Sequence, residues 1–270
     1  MSQRSIAISL LFGTLLGPVA LRGIAKPAAN EEETLHVGQP LARFSLLTPS
    51  TRLYVRYKVI GDQRATLDIW RREVSLEERE GKRLVHVFWR WDSVGDRKYS
   101  RVEDFWFESG TLRPLTVERH LTRDGTVTAS GYRYLTDRIV GLETMADNSQ
   151  KDFVQLAALP AYNFETDMEL LQTLPLAHHY VVQIPFYEAA PGQDAPRNYT
   201  YRVDGEAKIA AADGHKIDCW IVGTDSDNPN WGPTQFWFAK KSQVLIREQT
   251  RLKDGSIFVK SLLTNDVSDG

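Results

Sequence analysis

The sequence predicts a mostly β fold: two repeated antiparallel β-meanders forming a curved sheet or barrel-like shell, with short helices in the linker between them. Three observations carry this expectation. From Arg52 onward the chain alternates β-branched and aromatic stretches with Gly and Asp turns, the texture of paired strands. The same series of strand-like segments occurs twice. Helix-like spacing is confined to the segment that separates the two occurrences.

The bulk numbers fit a folded chain. With 42% hydrophobic and 25% charged residues over 270 positions, a sizeable core can be buried. A formal net charge of -2, with both signs interspersed, gives no electrostatic footprint for nucleic acid or an anionic membrane. Neither is expected as a partner.

Residues 1–25 read as a signal peptide. Arg4 is the only charge before the apolar run Ile6 to Leu16, which stops at Gly17-Pro18, and Gly23-Ile24-Ala25 offers a small-residue exit before Lys26. The run is short for a bilayer span. No Cys lies near the exit, and no later segment approaches spanning length, so a periplasmic or secreted protein with no integral span after signal removal is expected. The single cysteine, Cys219, can form no intramolecular disulfide.

Residues 26–51 form a lead-in. The first meander, 52–141, opens with Tyr54 to Val59, stopped by Gly61-Asp62, and continues through Leu84 to Trp91, Val102 to Phe107, Leu115 to Leu121 and Thr126 to Tyr134. The second meander, 197–267, repeats four anchors in order. Tyr201 to Gly205 stands for Tyr57 to Gly61, and Gly214 to Ile217 for Gly81 to Leu84. Phe236-Trp237-Phe238 stands for Phe105-Trp106-Phe107, and Asp254-Gly255 for Asp124-Gly125. The last pair suits a two-residue turn, since both central positions tolerate positive φ. Between the copies, in 142–196, helix-like spacing marks Asp152 to Leu159 and Glu165 to Leu174, ended by Pro160 and Pro175, before a strand at Tyr180 to Ile184.

The second copy contains Trp237-Phe238-Ala239-Lys240 followed by Leu245-Ile246-Arg247. This run resembles uncharacterised exported β-domain families of Gram-negative bacteria. More loosely the chain is similar to the periplasmic lipoprotein-carrier group, and that likeness implies a strongly curved sheet around an apolar cavity closed by short helices. It implies no catalytic residue.

Chemistry-bearing residues are sparse in pattern. His178-His179 would point to opposite faces of a strand, and no acid or thiol completes a metal set, so no metal and no cofactor is expected. His86 aligns with Cys219, but no cation flanks the thiol to activate it. Glu118 aligns with Glu248, the pattern of a wet strand face. No phosphate loop, nucleophile elbow or zinc-protease motif is present. No enzyme is therefore expected.

The strand Leu84 to Trp91 is apolar on both faces, so one face packs on core and the other meets a second layer or lines a cavity. The expected function is non-catalytic binding of an apolar or amphipathic, lipid-like ligand or a lipidated envelope protein. Trp89, Trp106, Trp220 and Trp237 would line the cavity, and Phe164, Met168 and Leu171 would close its mouth. The competing class is a structural or protein-interaction module of the cell envelope, and an enzyme of unknown class comes third.

Overall fold

The computed structural model describes residues 33–95, 98–157, 159–211, 214–225 and 231–263. The expected signal peptide, 1–25, lies outside these residues.

The lead-in supplies β1 (Glu33–Thr34). The first meander contains β2 (Ser50–Ile60), β3 (Gln63–Arg79), β4 (Lys82–Ser93), β5 (Tyr99–Glu108), β6 (Pro114–Arg123) and β7 (Thr126–Tyr134). The first meander ends with β8 (Arg138–Gly141), and the linker holds β9 (Val154–Leu156), β10 (Tyr162–Asn163), a 3-10 turn (Phe164–Thr166), α1 (Asp167–Gln172) and β11 (Val181–Tyr187). The second meander contains β12 (Arg197–Ala210), β13 (Lys216–Thr224), β14 (Trp231–Ala239), β15 (Leu245–Leu252) and β16 (Ile257–Leu262).

All sixteen strands belong to one sheet, in the order β1, β11 to β16, β2 to β9, with β10 beside β11. Pairing is antiparallel except that β1 and β10 run parallel to β11. The copies meet where β16 pairs with β2, from Ile257 opposite Val59 to Leu262 opposite Tyr54. Side chains then bring the two ends of the sheet together. Asn163 Nδ2 on β10 donates to Tyr134 Oη on β7 at 3.0 Å, and Arg119 on β6 pairs with Glu165 of the 3-10 turn at 2.5 Å. The result is a barrel-like shell closed by side chains.

The inner face carries the core. Val85, Val87 and Trp89 on β4 stand beside Phe107, Phe105 and Glu103 on β5, and Phe236 and Phe238 on β14 continue that face in the second copy. Into this space projects α1. Six residues cannot hold a helix alone; burial of Met168, Leu170 and Leu171 does so here. At its far end, Gln243 Nε2 donates to the carbonyls of Gln172 and Leu174, at 2.8 and 2.7 Å. A smaller cluster of Ile209, Ile217, Cys219, Ala239, Val244 and Ile246 packs on the opposite side of β13 and β14, since Cys219 alternates with Trp220.

Four expectations need correction. Asp152 to Ala157 is not helical: with no buried face of its own to hold a helix, it supplies β9, which pairs along β8 instead. A single short helix, α1, stands in the linker. The anchor linking Tyr57 with Tyr201 fails, because Tyr57 lies on β2 whereas Tyr201 lies on β12, the strand that enters the β13 turn as β3 enters β4. The Asp-Gly turns also differ. Asp124 and Gly125 both take positive φ, 50° and 80°, between the paired residues Arg123 and Thr126. In the second copy only Gly255 does so, and Leu252 N donates to Ser256 O across Lys253-Asp254-Gly255.

Candidate functional site

Cross-strand register places one end of the shell. Tyr201, Thr224, Thr234, Thr250, Phe258 and Lys58 form successive pairs across β12 to β16 and β2. The next rung inward runs Val222, Phe236, Glu248, Lys260, Arg56 and Asp68. Between these rungs, the start of α1 and the β11–β12 loop lies a cleft of about 520 Å³. Its walls are aromatic: Phe164, Phe186, Tyr187, Tyr199, Tyr201 and Phe236. Asp167, Glu188, Asp194, Asp225 and Glu248 reach it, against Arg197 as the one cation of the lining among the described residues.

Two buried ion networks stand behind these walls. In the first, Arg72 bonds Glu169, and Lys260 bonds Glu248 while lying 4.5 Å from the Trp70 ring. In the second, Arg101 and Arg119 each bond both Glu103 and Glu165. Burial and the nearby Glu165 push Glu103 up to about 7. Burial also pushes Glu165 up, but Arg119 and Arg101 outweigh it and hold that carboxyl down.

For the acids that meet the cleft the balance tips the other way. Burial, then Glu248, pushes Asp167 up to about 7, with Lys260 and Arg72 opposing. Burial, then Glu165, raises Glu188. The Tyr201 hydroxyl, on a side chain only 1% exposed, finds no hydrogen-bond partner among the described residues, and neither does that of Tyr187. A buried hydroxyl without a partner costs about 1–3 kcal/mol. Two such groups on one cleft mark a surface built for a polar contact.

The expected site residues do not converge. Phe164 lines the cleft. Trp89 is buried in the core, stacked on Trp70 at 5.0 Å. Trp106 alternates with the inward Phe105 and Phe107, so it faces outward, stacked on His86 at 4.2 Å. Trp237 faces outward by the same alternation and packs on the smaller cluster. Trp220 keeps the inward side but sits beside Lys240 and His178, away from the cleft lining. Met168 and Leu171 fill the interior, and the void touching Met168, about 10 Å³, is at most one water in size.

The nucleophile and paired-carboxylate patterns dissolve as well. His86 bonds Asp104 at 2.9 Å, while Cys219 is buried in the smaller cluster. Glu118 lies one position from the inward Val117 and faces out, whereas Glu248 faces in against Lys260. Among the described residues no group of three or more His, Cys, Asp or Glu is placed to hold a metal ion, and no helix is long and apolar enough to cross a membrane. The cleft acids Asp167 and Glu188 escaped sequence reasoning because Asp167 begins a helix and Glu188 sits in a loop, where acids are ordinary.

Residues 54–263 match a family described as a protein of unknown function, DUF3108. The chain belongs to the DUF3108 family. The matched span takes in all but the outer ends of both meanders of this DUF3108 chain, and the whole cleft lining. It also takes in the run Trp237 to Arg247, which forms the β14–β15 hairpin. There Ala239 packs beside Cys219, and a bulge lets Leu245 face the main core while Ile246 joins the smaller cluster. No curated protein matches the chain. Among solved structures, a beta-barrel-like protein of domain of unknown function DUF1849 from Brucella abortus is similar at 11% identity, with a TM-score of 0.52 over 83% of this chain and 99% of that one. That likeness is one of fold. A DUF1329 family protein from Desulfovibrio piger shares 12% identity over 86% of this chain and 96% of that one, with a TM-score of 0.26.

Proposed function

We propose that this DUF3108 chain is a non-catalytic envelope protein that binds a small amphipathic ligand in the cleft between α1 and the β11–β15 strands. The observation that carries the reading is the combination of six aromatic walls with two partnerless buried hydroxyls in one cleft of about 520 Å³. Aromatic walls with a few convergent polar groups are the usual make-up of a small-molecule site, and the volume falls in the usual range. At about 30 Å³ per water-sized group, the space holds roughly 15–20 non-hydrogen atoms, which suits one short chain and a head group.

Export rests on the layout of residues 1–25 and belongs to the same proposal. So does the looser likeness to lipoprotein carriers, with one difference: α1 occupies the interior here, so the ligand would sit at one end of the shell.

A neutral fluorescent probe, N-phenyl-1-naphthylamine, tests the reading. Saturable one-to-one binding is expected, displaced by 1-octanol and weakened at least tenfold in Phe164→Ala with the fold intact by circular dichroism. Absence of saturable binding to the wild-type protein would overturn it, and the interaction-module reading would take its place.

A further inference from the structure

We propose that the ligand of this cleft carries a cation: a primary ammonium on a short apolar stem, received by the Asp167 carboxylate and the Tyr201 hydroxyl. The inference rests on the cleft being a ligand site and adds the chemical class of its occupant.

The argument is a balance of buried charge. The network behind α1 holds three carboxylates, Asp167, Glu169 and Glu248, against two cations, Arg72 and Lys260. Glu169 takes Arg72 and Glu248 takes Lys260, so the excess carboxylate is Asp167. The second network holds three more, Glu103, Glu165 and Glu188, against Arg101 and Arg119. Both guanidiniums bond Glu103 and Glu165, and Glu188, 3.9 Å from Arg119, is 40% exposed and so answered by that arginine and by water. Among the described residues Asp167 is thus left without an ion pair of its own, and it lines the cleft.

A buried carboxylate with no cation of its own is costly and takes up a proton instead. Asp167 and Glu188 are both raised, burial being the largest cause. Elsewhere in the lining Asp225 pairs with Arg202 at 3.2 Å, and Glu248 with Lys260. A cation entering beside Asp167 would restore the balance.

The hydroxyls give a second, independent sign. Tyr201 is 99% buried in effect, being 1% exposed, and its oxygen has no partner among the described residues. A primary ammonium brings three donors and no acceptor, so one can go to Asp167 and another to the Tyr201 oxygen. Phe164, Phe186, Tyr199 and Phe236 supply faces for the stem and for cation–π contact. An anionic head group would meet carboxylates here and is rejected by the same count.

The test compares three ligands of equal length, octylamine, octanoate and 1-octanol, by isothermal titration calorimetry against the full mature chain at pH 8. Octylamine is expected to bind at least tenfold more tightly than either of the others. Asp167→Asn should cut the preference for octylamine over octanol at least tenfold. Tyr201→Phe, which keeps the ring and its packing, should cut the octylamine preference several-fold. Octanoate binding as tightly as octylamine, or a preference that survives both substitutions, overturns the inference. Failure of all three ligands to bind overturns the cleft as a site, a distinct result.

Discussion

Asp167 makes the cleft's chemistry readable as a stability measurement. Its environment comprises Glu169 on α1 itself, Arg72 on β3, Glu248 on β15, Lys260 on β16 and Tyr201 on β12. Burial raises its folded-state pKa to about 7, above the ordinary 3.8. The sign follows from proton linkage: between those values the folded chain holds a proton that the unfolded chain has released, so stability falls as pH rises from about 4 to 7. Replacing Asp167 with Asn removes this contribution. Chemical denaturation of the wild type at pH 5 and pH 8 should show a larger loss than in Asp167→Asn, by about 1–3 kcal/mol. Equal losses in the two proteins would mean that Asp167 is solvated like a surface acid. Octylamine at pH 8 should also stabilise the wild type more than the variant, since a ligand that binds only the folded state adds to its stability.

At the scale of the element, the strand period decides what each aromatic does. On β4 and β5 neighbouring positions face opposite ways, so Trp89 and Trp106 have different roles although both belong to aromatic runs. Trp89 is enclosed by Trp70, Trp91, Phe105 and the Arg72 guanidinium, the last 4.1 Å from its ring. Trp106 stacks on His86 and lies under the Arg79 guanidinium on the outer face. Trp89→Ala should therefore cost about 3–5 kcal/mol, and Trp106→Ala no more than about 1.5 kcal/mol, read from urea midpoints. Similar costs would contradict the assignment of faces. Alternation was legible in the sequence, and it separated Trp89 from His86 correctly; which face would be inner was not. β3 shows the other limit. Its inward positions include Asp68 and Arg72, each satisfied by a residue distant in sequence, Arg56 and Glu169. A strand with buried charges has no apolar stripe to find, so it went unread. The cleft was hidden for the same reason: Asp167, Glu188, Glu248 and Lys260 gain meaning only from strands that meet across the shell.

For the whole molecule, the duplicated anchors carry an architectural consequence. Each meander alone would leave two open edges, and the chain resolves this by pairing its last described strand with the first strand of the other copy. β16 lies between β15 and β2, so a single segment of six residues joins both halves of the sheet. It also delivers Lys260, the cation that holds Glu248 inside the shell. Removing residues from Ile257 onward would expose two long strand edges, β2 and β15, and leave a buried carboxylate uncompensated. Breaking a buried pair in this way costs about 3–5 kcal/mol before any lost strand pairing is counted, which is comparable to the whole stability of many domains. The truncated chain should lose the single cooperative unfolding transition and tend to aggregate through its open edges. Lys260→Met separates the two causes, because it keeps β16 and removes only the charge. That variant should keep one cooperative unfolding transition at reduced stability and not aggregate, monitored by calorimetry and light scattering. A truncated chain that unfolds as one cooperative unit with unchanged midpoint would show that the halves do not depend on β16, and the shell would then be two domains rather than one.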